Sequence, residues 1–153
     1  MSQSSKTLHE FGSLAIKEDL RLKSGSTTAL SASVTPAPTA LGDEAVTLTV
    51  DQIRSGLLTQ TPTAARAVTL PTAEDMAAFL STVGDSFDFH FINLGADTFH
   101  STITAGTGGS VVGLAAVKDS DPTAESSSGS ACFRIRQTNV SSGSEAYVCY
   151  RLA

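Results

Sequence analysis

His90 and His100, with Asp88 beside the first of them, come closest in this chain to a chemical site. They lie in SFDFHFINLGADTFHSTITA (86–105), which alternates apolar and polar residues on both sides of a turn-like Leu94-Gly95-Ala96. Read as a hairpin pairing Asn93 with Asp97, it puts Phe87, Phe89, Phe91, Phe99 and Ile103 on one core-facing side. The same register sets His90 opposite His100 on the polar side, with Asp88 next to them. Two imidazoles and a carboxylate could bind zinc or move a proton. No fourth ligand is evident, nor any group to orient the imidazoles. The expectation is therefore a pair of partly exposed histidines on a sheet face, with no metal and no cofactor.

Other chemistry fares worse. In AGTGGSVVG, Gly108 and Gly113 have the outer spacing of a phosphate-binding loop. Leu114 and Ala115 stand where Lys and Ser or Thr are needed, and no helix start follows, so a β-turn is expected. No G-x-S-x-G elbow occurs among the serines, and neither Cys132 nor Cys149 has a base adjacent in sequence. Asn139-Val140-Ser141 fits a glycosylation acceptor, which is idle unless the chain is secreted. Arg134 and Arg136 share one strand face and could pair with acidic neighbours. The sequence thus reads as that of a protein that is not an enzyme.

The elements that would position these residues are mostly strands. Ser and Thr supply 40 of the 153 residues, 41% are hydrophobic, and Trp is absent. That composition supports one core and favours strands and turns over helices. No apolar run approaches the roughly 20 residues of a membrane helix. MSQSSKTLHEF lacks the basic-then-apolar order of a signal peptide. Ten basic against fifteen acidic residues argues against nucleic acid as a partner. Two cysteines are too few for a disulfide scaffold. If Val140 pairs with Glu145 across SSGS, Cys149 faces Arg136 and Cys132 is about four residues out of register. Free thiols follow.

The chain divides near residue 45. In LAIKEDLRL, Leu14, Ile16, Leu20 and Leu22 point one way, with Glu18 as the exception on that face, while Ala15, Lys17, Asp19 and Arg21 point the other. This is an extended amphipathic strand, flanked by polar SQSSKT and by KSGSTT and SVTPAPTALG. Residues 1–44 read as an extended N-terminal arm and linker whose apolar edge, Leu14, Ile16, Leu20 and Leu22, binds a partner. The alternative is a first strand of the body.

Residues 45–153 read as a β-sandwich, jelly-roll-like, with about eight short strands and one short helix. The strands are AVTLTV, LLTQ, ARAVTLP, SFDFHFIN, DTFHSTITA, SVVGLAAV, ACFRIRQTN and AYVCYRL. Asp51 is expected to cap a turn ending at Gly56. The helix is TAEDMAAFLS, opened by Thr72 and Asp75, with Met76, Phe79 and Leu80 as its apolar stripe.

Between Val46 and Arg151 the chain resembles a β-rich module of virion proteins from tailed phages and large DNA viruses. The resemblance rests on LTVDQIRSGLLTQTPTAARAVTLPTA, VGDSFDFHFINLG, TITAGTGGSVVG and TNVSSGSEAYVCYR. It marks turns and core positions and carries no catalytic residue across. It implies a structural virion protein, most like a jelly-roll capsid cement or decoration protein. Such a protein assembles in the host cytoplasm, binds the outer surface of the major capsid protein lattice as a homotrimer or other homo-oligomer, and stabilises the shell. A tail, fibre or minor capsid component on the same module is the alternative, and a carbohydrate-binding sandwich a weaker one.

Overall fold

A computed structural model describes residues 37–95, 99–118 and 129–153. The described residues form ten strands and two short helices. The strands are β1 (Thr39–Leu41), β2 (Val46–Thr47), β3 (Leu57–Gln60), β4 (Arg66–Thr69), β5 (Ser86–Asn93), β6 (Ser101–Thr104), β7 (Gly109–Val112), β8 (Ala116–Val117), β9 (Ser130–Asn139) and β10 (Ala146–Arg151). The helices are α1 (Val50–Arg54) and α2 (Ala73–Phe79). A large sheet has the order β1-β3-β5-β9-β10-β7 and a small one the order β2-β4-β6-β8. Their inner faces share one core, with Leu58, Phe89, Phe91, Phe133 and Ile135 from the large sheet and Val68, Ile103 and Val117 from the small one. The expected mainly β sandwich is what forms.

Successive strands from β1 to β8 alternate between the two sheets. The chain therefore coils around the core, and strands one turn apart pair in parallel: β1 with β3, β3 with β5, β2 with β4, and β4 with β6. β7 also runs parallel to β10. A jelly roll is antiparallel; here antiparallel pairing is confined to β5–β9, β9–β10 and β6–β8. β1 lies in the stretch read as arm and linker, and its pairing with β3 starts the body ahead of residue 45.

Two buried amides hold one corner of this coil. Gln60 and Asn93, register partners at the ends of β3 and β5, are 1% and 0% exposed. Gln60 Nε2 donates to the carbonyls of Gly42 (2.8 Å) and Glu44 (3.0 Å), and its Oε1 accepts from the Ser101 hydroxyl at 2.8 Å. Asn93 Nδ2 donates to the carbonyls of Phe99 (2.9 Å) and Val117 (3.1 Å), and its Oδ1 accepts from Gly95 N–H at 2.8 Å. The buried backbone groups among these, the Gly95 N–H and the Val117 carbonyl, are thereby satisfied. Among the described residues, Gln137 Oε1 is the one buried side-chain polar atom without a partner.

Both helices start from threonine caps. Thr49 and Gln52 form a full capping box: Gln52 N–H donates to Thr49 Oγ1, and Thr49 N–H donates to Gln52 Oε1. The cap of the DQIR turn is thus Thr49 rather than Asp51, and the turn is a helix, making two where one was expected. At α2, Thr72 Oγ1 accepts from Asp75 N–H and donates to the Asp75 carboxylate. Asp75 therefore bonds the capping hydroxyl rather than the Thr72 N–H, which is what Glu or Gln does in a capping box. Met76 and Leu80 are buried as expected, and Phe79 meets Phe87 edge-on at 5.6 Å, with the Arg54 guanidinium 5.0 Å from its ring centre.

Tyr147 closes the far side of the core. Its hydroxyl accepts from Gly106 N–H and donates to the Pro71 carbonyl, both at 3.0 Å. Gly109 lies so close that a β-carbon there would stand 2.2 Å from Tyr147 Cζ, so no other residue fits without displacing the ring.

Candidate interaction surface

The hairpin expected to join His90 to His100 does not form. β5 lies in the large sheet between β3 and β9, whereas β6 lies in the small sheet between β4 and β8. The apolar alternation is still met: Phe89, Phe91 and Ile103 are buried and Phe87 packs partly on the core, while Phe99 is only half-buried. Both segments face one core from opposite layers instead of lying side by side. Asn93 diverts the chain at this point, binding Gly95 N–H and the Phe99 carbonyl as it crosses. His90 stands exposed on the outer face, and His100 precedes β6 with its carbonyl accepting from Arg66 N–H. No group of three His, Cys, Asp or Glu residues that could hold a metal occurs among the described residues.

The outer face of the large sheet brings together residues from five strands. One row runs Asp88, Arg134, Tyr150, Val112, and a second runs Ser86, Arg136, Val148, Ser110. A third runs Leu57, His90, Cys132. Arg134 grips Asp88 with two bonds of 2.7 Å, from Nε to Oδ1 and from Nη2 to Oδ2. This pair holds the Asp88 carboxyl below the usual range, against a smaller opposing effect of desolvation. Asp88 is thus engaged by arginine rather than by a histidine pair. At the corner by β1, Asp43 accepts from Arg66 Nε at 3.0 Å and from the N–H and hydroxyl of Thr63. The guanidinium and the hydroxyl set its carboxyl well below the usual range.

The cysteines are free, as the sequence implied, though in a different register. A bulge between Ala146 and Tyr147 moves the β9–β10 pairing by one, so Cys149 faces Ile135 rather than Arg136. Cys149 is buried on the inner face, while Cys132 is half-buried on the outer face beside His90. The two thiols point to opposite sides of one sheet. Burial pushes the Cys149 thiol up to about 12. A thiol reagent at pH 8 should label one site in the native protein and two after unfolding, with Cys132→Ala removing the native-state reaction. Two equally fast native sites would contradict this placement.

No family model matches the chain, and no curated protein or solved structure matches it either. The glycine turn behaves as expected: Gly108 and Gly113 have φ of 79° and 96°, and the turn leads into strand β7, not a helix. SVVGLAAV, read as one strand, breaks at Gly113 into β7 and β8, which join different sheets. The arm residues Leu14, Ile16, Leu20 and Leu22 lie outside the described residues.

Sequence reading missed the apolar corner of the outer face. Val112, Leu114 and Leu152 are 51%, 63% and 51% exposed, three of the five large apolar side chains so exposed among the described residues. Val112 neighbours Tyr150, and Leu152 N–H donates to the Cys132 carbonyl. Arg151 Nη1 donates to the carbonyls of Leu114 and Ala116, tying the β7–β8 connection to β10. Exposed apolar side chains gathered at one place mark an interaction site better than single ones do. The signal in sequence was weak, because VVGL looks like core until Gly113 turns it.

Proposed function

We propose that this protein is a non-enzymatic structural component of a virion, a capsid cement protein that binds the outer surface of the major capsid protein lattice. The observation that carries this reading is the edge strand that the chain forms directly after the residues read as an arm. Among the described residues β1 is an edge strand of the large sheet, and 36 residues precede the first described residue, only two positions before β1. That segment contains the alternating Leu14, Ile16, Leu20 and Leu22. A compact β body with a strand-like arm can hold neighbouring subunits by adding a strand to a sheet edge. Repetition over a shell multiplies a modest contact. The resemblance to virion modules supplies the setting.

Deleting residues 1–25 tests the reading, since the deletion stops well short of β1. The body should melt within a few degrees of the full chain, while retention on purified particles is lost. Unfolding of the truncated chain would place those leucines in its own core. Undiminished retention would move the contacts to the body. Only a few copies per particle, confined to the tail, would favour the tail or fibre reading over cement.

A further inference from the structure

β7 is the longest of the four edge strands. It has four residues, against three in β1 and two each in β2 and β8. Tyr147 N–H donates to the Gly108 carbonyl, and backbone groups alternate in direction along a parallel ladder. The N–H and C=O of Val111 therefore face away from β10, on the free side. Protected edges carry lysine, proline or a bulge, whereas β7 reads Gly-Ser-Val-Val. It ends at the apolar corner formed by its own Val112 and by Leu114 in the connection to β8. Among the described residues this side of β7 has no strand partner, and such a ladder beside exposed apolar side chains is a template for an added strand.

We propose that the β7 edge of one copy receives the Leu14–Leu22 segment of another copy, so that the protein assembles with itself head to tail. The proposal rests on the arm reading above and names the arm's acceptor. Three observations select this occupant. The segment has the period-two pattern of a strand and a four-residue apolar edge, which would continue the apolar corner at Val112 and Leu114. In chain order the segment precedes β1, which among the described residues is the opposite edge of the same sheet. Six strands at about 4.8 Å spacing separate those edges by roughly 24 Å. The 17 residues from Leu22 to Thr39 span at most about 60 Å when extended, so a neighbour's edge is within reach. A contact that leaves one edge and lands on the other is heterologous, and heterologous contacts close into rings when the rotation allows.

Light scattering on the full chain in solution, without capsids, tests this with two variants. Val112→Lys with Leu114→Lys charges the edge at exposed positions, and Ile16→Glu with Leu20→Glu spoils the arm outside the body. The unmodified chain should be an oligomer, and each variant a single chain with an unchanged melting temperature. Mixed in equal amounts, the two variants should form a one-to-one pair, because one brings an intact arm and the other an intact edge. A single-chain mass for the unmodified protein would overturn the proposal. So would assembly of the arm variant, or failure of the mixture to pair. If the edge variant does not fold, Leu114→Lys alone replaces it. None of these outcomes bears on particle retention, so the capsid reading stands or falls separately.

Discussion

Phe89→Ala should destabilise the protein by about 3–5 kcal/mol in urea denaturation, the range for losing a fully buried phenylalanine. Phe89 is 0% exposed and stacks on its cross-strand partner Phe133, with ring centres 5.4 Å apart and planes 18° from parallel. β5 is held on both sides, by β3 and β9, so the backbone has little freedom to close over the space left. The adjacent residue provides the contrast. His90 lies on the outer face of the same strand and is exposed, so His90→Ala should change stability by no more than about 0.5 kcal/mol. Similar losses for the two substitutions would mean that the inner and outer faces of β5 are wrongly assigned.

Asn93→Leu should cost about 2–6 kcal/mol although leucine is similar in size and apolar. The substitution leaves Gly95 N–H and the carbonyls of Phe99 and Val117 without their side-chain partner. Each buried group left unsatisfied costs about 1–3 kcal/mol. Two of the three, the Gly95 N–H and the Val117 carbonyl, are buried, and apolar burial by leucine cannot offset their loss. The corner cannot relax easily, because a β-carbon at Gly95 would already stand 2.8 Å from the Pro62 carbonyl. Hydrogen exchange should locate the damage, with protection lost first at Gly95 and along β6. A variant as stable as the parent would show that water replaces the amide and that the crossing does not depend on it.

These two residues sit on one strand and mark where sequence reading succeeds and where it stops. Alternation in SFDFHFIN identified the buried side of β5, because a strand's side chains alternate faces with period two whatever lies beside it. The same reasoning found β3, β4, β9 and β10, and Thr72 with Met76 and Leu80 located α2. Such features depend on residues a few positions apart, so they are visible locally. Thr49 and Gln52 are equally local, but Asp51 between them is an equally good cap type, so residue type alone does not choose between Thr49 and Asp51.

Partners were not legible, because every strand offers the same ladder of N–H and C=O groups to any neighbour. The hairpin register that set His90 against His100 was allowed by alternation alone. It failed because Asn93, a residue that reads as an ordinary turn former, is buried and fastens the crossing between layers. Gly113 likewise parts β7 from β8, and a single bulge moves Cys149 from Arg136 to Ile135. The amino-acid sequence by itself determined the β class, the inner faces of most strands and the Thr72 cap of α2, all set by local geometry. Only the tertiary structure decided the coiled path between two sheets and the exposed β7 edge, since these follow from hydrogen bonds between residues far apart in the chain.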